Sequence, residues 1–100
     1  MDINKLLHFR AVYESGNITV AAVHLSMTAG ALSKSLRIFQ EEIDITLIEP
    51  LGRGIIITEK GRKLYQKSNR LIEEFNHLSR NLNTSEDEQI KFGTYEVFST

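Results

Sequence analysis

Thr28, Ser33, Lys34 and Arg37 crowd hydrogen-bond donors into a ten-residue stretch, with Ala29 and Gly30 among them. In the same stretch Leu32, Leu36, Phe39 and Ile43 recur at the spacing of one helical face. That apolar set faces a core, which leaves Ala29, Gly30, Ser33, Lys34 and Arg37 on the opposite side. Hydroxyl, ammonium and guanidinium groups on an open helix face donate hydrogen bonds to base edges and phosphates. They do not make or break covalent bonds without a nucleophile and a base in reach. Thr28 stands at the start of this helix, and Thr19 near the start of the preceding one. Free N–H groups and the helix dipole favour anions at such ends, so both are candidate phosphate contacts. Arg53 stands between Gly52 and Gly54, at the tip of a turn. For Arg37, a solvated helix charge is the competing reading.

Other constellations carry no chemistry. Glu41 and Glu42 are adjacent, so their side chains diverge on a helix. The Gly52 and Gly54 pair lacks the strand-to-helix setting of a phosphate loop. The chain has no cysteine, and His8, His24 and His77 have no ligand spacing. His24 reads as a surface helix residue. No catalytic residue, metal or cofactor is therefore expected, and the chain does not read as an enzyme.

The elements that must position the donors follow from periodicity and punctuation. Asp2 caps a first helix with an apolar stripe of Leu6, Phe9 and Tyr13, flanked by Leu7 and Ala11. Gly16 ends it. Asn17 or Thr19 caps a second helix to Leu25, with Ala21, Ala22 and Leu25 on one face. Ser26-Met27-Thr28 turns the chain, and Thr28 caps the third helix, which runs to about Ile43. Asp44 follows, where a tight exit needs an unusual backbone angle. Leu47-Ile48-Glu49 and Ile55-Ile56-Ile57 are two short strands around a Pro50 to Gly54 tip. Thr58 caps a long final helix, from Glu59 to about Asn83. In it Leu64, Leu71 and Leu78 are seven apart, and so are Ser68, Phe75 and Leu82. That is a heptad stripe with Ser68 as its polar intruder. So long a stripe exceeds what a small domain can cover, so a second copy is the expected partner, parallel or antiparallel. A single helix packed on its own core is the alternative.

The fold class is mainly α: a winged helix-turn-helix of three helices and a short β-hairpin, then a long linker helix. The domain reading is 1–58 for the winged unit, 59–83 for the linker and dimerisation helix, and 84–89 for a polar, acidic hinge. Residues 90–100 read as the first strand of a further domain. Of 100 residues, 41% are hydrophobic, enough for a small core. No apolar run is long enough to span a membrane, and residues 1–5 lack a secretory start, so the cytoplasm is the expected location. The net charge is -1, but residues 1–80 hold eleven Lys and Arg against nine Asp and Glu. The modest basic surplus lies in the unit that carries the donor face.

The order helix, turn, helix and glycine-tipped hairpin, from Thr19 to Thr58, resembles the amino-terminal domain of LysR-type transcriptional regulators. The resemblance covers residues 3–83, with a short, weak match at 90–100. It implies that the third helix enters a DNA major groove. Ser33 and Lys34 match family positions that contact bases and phosphates. Arg53 matches a basic wing residue that reaches the minor groove or backbone. Leu64, Leu71, Phe75, Leu78 and Leu82 are expected at a dimer contact, with Tyr65 either there or in the core. The resemblance implies a dimeric bacterial regulator as a DNA-binding fragment. Its partners would be double-stranded DNA and a second copy, with a tetramer open to a full-length form. An effector small molecule would bind only with the missing domain present.

Five positions depart from the family pattern. Ala29-Gly30 stands where a Gln-Pro pair is common, and Pro50 where the wing is usually basic. Val20 replaces a polar or basic residue, and Ile38 is apolar on a usually charged face. The poor charge, Ala29, Gly30, Pro50 and an exposed Ile38 motivate a second hypothesis. In it the winged helix pairs with protein, heterodimerising with or antagonising a full-length regulator. Steep salt dependence would mark the DNA binder.

Overall fold

The computed structural model describes residues 2–85, and side chains from 2 to 82. The order is α1 (Ile3–Ser15), α2 (Ile18–His24), α3 (Ala29–Ile43), β1 (Ile48–Leu51), β2 (Gly54–Ile57) and α4 (Glu59–Ser85). The chain divides into two compact units, Met1–Tyr65 and Gln66–Thr100.

Each helix of the first unit begins on a side-chain cap. Asp2 accepts the Asn4 N–H at 2.9 Å, Asn17 the Val20 N–H at 3.0 Å and Thr28 the Ala31 N–H at 3.0 Å. These bonds satisfy donors that a helix start leaves unpaired. The second cap is Asn17, so Thr19 lies one residue inside the helix. Gly16 closes α1 with φ 72°, and Asp44 closes α3 with φ 57°. Both helix ends are where the sequence places them.

The core joins Leu6, Phe9 and Val12 of α1, Ala21 and Ala22 of α2, and Leu32, Leu36 and Phe39 of α3, with Leu47. The stripe of α1 is therefore Leu6, Phe9 and Val12. Tyr13, expected in that stripe, lies at its edge, and its ring stacks on Tyr65 at 3.9 Å. Ile38, read as exposed, is half-buried, which removes one argument for the protein-pairing reading.

The hairpin tip is Leu51-Gly52-Arg53-Gly54, and the strands reach one or two residues further toward it than the Pro50 to Gly54 reading allows. They pair antiparallel with Pro50 opposite Ile55 and Leu51 opposite Gly54. The turn is thus Gly52-Arg53, and Pro50 lies within β1. A two-stranded hairpin tolerates this, since an edge strand can spare one N–H. Gly52 has φ 59°, as the tight turns that suit strand twist require. Leu47, expected in the first strand, is a buried anchor. Its N–H donates to Gln40 Oε1 at 2.6 Å, and its carbonyl accepts the Thr58 N–H at 2.9 Å.

Helix α4 starts on Thr58, whose Oγ1 accepts the Gly61 N–H at 3.0 Å. Its first two turns belong to the first unit. Gly61 is buried, and a Cβ built there would lie 2.5 Å from the Leu47 carbonyl oxygen. Leu64 and Tyr65 pack against the core. Residues 84 and 85, assigned to a hinge, are helical. The remainder of that hinge and the strand at 90–100 lie outside the described residues.

Candidate nucleic-acid interface

Helix α3 buries Leu32, Leu36 and Phe39 and exposes Ala29, Gly30, Ser33, Lys34 and Arg37. The buried face orients the exposed one, so the donor set projects from a helix held along its length. Ser33 and Lys34 have no side-chain partner among the described residues. Arg37 makes an ion pair with Glu41 at 3.5 Å, both side chains more than half exposed. Such a pair is weak and readily exchanged for another anion. Thr28 is exposed at the helix start and uses its oxygen as the cap, which leaves its hydroxyl proton to donate. Thr19 is exposed on α2.

Two interactions absent from the sequence reading hold α3 in place. Gln40 accepts the N–H groups of Leu47 and Ile48, the latter at 3.0 Å, and donates to the Leu36 carbonyl at 3.2 Å. One side chain thus ties the root of the hairpin to the last turns of α3. On the other flank, His8 Nδ1 lies 2.8 Å from Ser35 Oγ. Burial holds the His8 pKa below its ordinary value, against a smaller opposing effect of Asp2. Neither was legible in advance, because a lone Gln or His shows no periodic signal.

Between α3 and the inner face of the hairpin runs a shallow cleft of about 210 Å³. Ser33 and Arg37 border it, opposite Pro50 and Ile55. Arg53 is exposed in the hairpin turn and has no ion pair among the described residues. Lys60 and Lys63, which sequence reasoning passed over, are exposed on the first turns of α4 and likewise make no ion pair among the described residues. Arg62 pairs with Glu59 at 3.0 Å.

A second cluster fixes the start of α4 against α1. Tyr65 donates its hydroxyl proton to Glu14 at 2.6 Å, and Arg10 lies 4.6 Å from the Tyr65 ring centre. The bond to Glu14 raises the Tyr65 pKa. Leu64, assigned to dimerisation, is partly buried against the core of its own unit. Further along α4, Leu71 and Leu78 are each 52% exposed and Leu82 is 37% exposed, while Phe75 is partly buried. Among the described residues, no helix is long and apolar enough to cross a membrane, and no acidic, His or Cys cluster could hold a metal.

Comparison with known proteins places this geometry. The model of bacterial regulatory helix-turn-helix proteins of the lysR family matches residues 3–62. An HTH-type transcriptional regulator from the ibpB-leuC intergenic region of Azotobacter vinelandii is 32% identical over 83 residues, covering 83% of this chain and 58% of that protein. The HTH-type transcriptional regulator AceR of Acinetobacter baumannii is 37% identical over 78 residues, covering 76% of this chain and 26% of the relative. The chain thus spans between a quarter and three-fifths of these relatives. A crystal structure of the BenM DNA-binding domain with catB site 1 DNA aligns with a TM-score of 0.76 and 27% identity, over 88% of this chain and all of the other. The CbnR DNA-binding domain in complex with DNA aligns at 0.77 with 24% identity, over 85% and 98%, a likeness of fold.

Proposed function

The chain belongs to the lysR family of bacterial regulatory helix-turn-helix proteins, and from that premise we propose that it binds double-stranded DNA as a dimeric transcription regulator. One observation carries the reading. Ser33 and Lys34 stand side by side, exposed and unpartnered among the described residues, on a helix whose other face is locked into the core. In this reading α3 enters the major groove. Thr19 and Thr28 take phosphates, Arg53 meets the backbone or minor groove, and Arg37 exchanges Glu41 for a phosphate. The second copy docks through Leu71, Phe75, Leu78 and Leu82. In a longer form the regulator could assemble further and take an effector. It acts in the cytoplasm and catalyses no reaction.

Affinity measured against salt tests the reading. Log K should fall linearly with log salt, with a slope of about 0.9 per phosphate neutralised. Salt-independent binding, or none, defeats it. A two-fold dimer further requires an inverted repeat with half-sites about one helical turn, roughly 10 base pairs, or a multiple apart. Inserting about five base pairs between half-sites should abolish dimer binding, because it places them on opposite faces. A gel-shift series indifferent to spacing would show two independent heads.

A further inference from the structure

Three residues of α1 converge on one side chain of α4. The Tyr13 ring stacks on Tyr65 with centres 3.9 Å apart and planes 8° from parallel. Glu14 accepts the Tyr65 hydroxyl proton at 2.6 Å, and Arg10 lies over the ring and pairs with Glu14 at 3.6 Å. Burial alone does not call for this set. Gly61 and Leu64, on the same turns, already hold the start of α4 to the Leu47 backbone and the core, and apolar burial has no preferred direction. A stack fixes a ring plane, a bond to a carboxylate fixes the hydroxyl, and a guanidinium selects a ring face. Such contacts set an orientation. Tyr65 is also the last residue of the first compact unit.

The other side of α1 carries α3. At helical spacing, Lys5 and His8 lie toward one side of the buried Leu6-Phe9-Val12 stripe, and Arg10, Tyr13 and Glu14 toward the other. Lys5 reaches Glu42 at 3.5 Å and His8 reaches Ser35 at 2.8 Å, both on α3. Helix α1 thus joins the first turns of α4 to α3 through polar and aromatic contacts on its two sides. We propose that Tyr65 is a positioning residue for DNA binding. Through α1 it fixes the angle at which a dimer held along α4 presents each α3, and so sets the half-site spacing that the dimer accepts. This rests on the reading of the chain as a dimeric DNA binder.

The test uses the 100-residue chain and inverted-repeat duplexes selected by it from a randomised pool. For the parent, inserting about five base pairs between half-sites should lower affinity about a hundredfold, as linked binding is lost. Tyr65→Leu keeps an apolar group in place and removes the stack, the hydroxyl and the ring face. It should lose only about tenfold or less between the same duplexes, with affinity for a single half-site within about twofold of the parent's. A variant that is merely less stable would weaken on every duplex alike and keep the parent's ratio. Tyr65→Phe keeps the stack and should stay near the parent; a ratio as low as that of Tyr65→Leu would overturn the role of the stack. Should Tyr65→Leu fail to fold by circular dichroism, Arg10→Gln with Glu14→Gln leaves both rings standing and should narrow the ratio by about threefold. An unchanged ratio in Tyr65→Leu, or in that double variant, overturns the positioning role and leaves DNA binding standing. Parent binding that ignores spacing, or no binding to any duplex, overturns the dimeric DNA-binding reading and this role with it.

Discussion

Residues 2–65 and the continuing helix from 66 to 85 share the same apolar periodicity, and they complete it differently. In the first unit the periodic residues find partners within the chain. Leu6, Phe9, Leu32, Phe39 and Leu47 are all but fully buried, and Gln40 and Thr58 close the backbone groups around them. In the helix beyond, Leu71 and Leu78 leave half their surface in water. A stripe of large apolar side chains at heptad spacing is stable in water chiefly when a partner covers it. The difference teaches that one periodic signal makes a core where the chain folds back and leaves an open apolar stripe where it runs on.

The comparison breaks most visibly at the stripe. Leu71→Glu combined with Leu78→Glu should yield monomers by sedimentation equilibrium, because unpaired charges are costly to bury. Affinity for an inverted repeat should fall by about a hundredfold or more, as linked binding is lost. The first unit should keep its melting transition. A parent chain that is already monomeric at high concentration would end the dimer model.

The next effect falls inside the first unit. Gly61→Ala must push a methyl against the Leu47 carbonyl and the Ile57 side chain. We expect a loss of about 1–3 kcal/mol, the usual cost of overpacking, read from urea denaturation. Unchanged stability would show that α4 can lift off the hairpin freely.

A smaller effect separates function from folding on α3. Lys34→Ala removes an exposed, unpaired cation, so the denaturation midpoint should hold. DNA affinity should drop and the salt slope should fall by about one unit if Lys34 meets a phosphate. A base contact would instead relax preference at one position. Intact affinity and specificity would remove Lys34 from the interface.

The smallest effect is on pH. His8 is held below its ordinary pKa of 6.5, chiefly by burial. The unfolded chain therefore binds more protons than the folded one below about that pH. Stability from this site is present above 6.5 and lost as pH falls through the lower folded value. Asp2 is also lowered, by the Asn4 N–H, from 3.8, so its loss comes at more acid pH. Denaturation at pH 7 and pH 5.5 should show a decline that His8→Gln flattens. Equal slopes in both proteins would assign the decline elsewhere.

Periodicity, caps and turn residues determined much of this molecule without any structure. Helical spacing in Leu32, Leu36 and Phe39 divides α3 into a core face and a donor face, because 3.6 residues per turn allow no other arrangement. Asp2, Thr28 and Thr58 mark helix starts, and Gly16 and Asp44 mark ends, because each satisfies a local backbone requirement. Contacts distant in sequence were settled by the tertiary structure alone. Gln40 binding the root of the hairpin, Gly61 against Leu47, Tyr13 on Tyr65 and His8 beside Ser35 each join residues that no local period relates. The pairing of Pro50 with Ile55 is of the same kind, as is the burial of Leu47 in the core ahead of β1. Local chemistry selects elements residue by residue, whereas side chains meet across elements only after the chain has closed on its core.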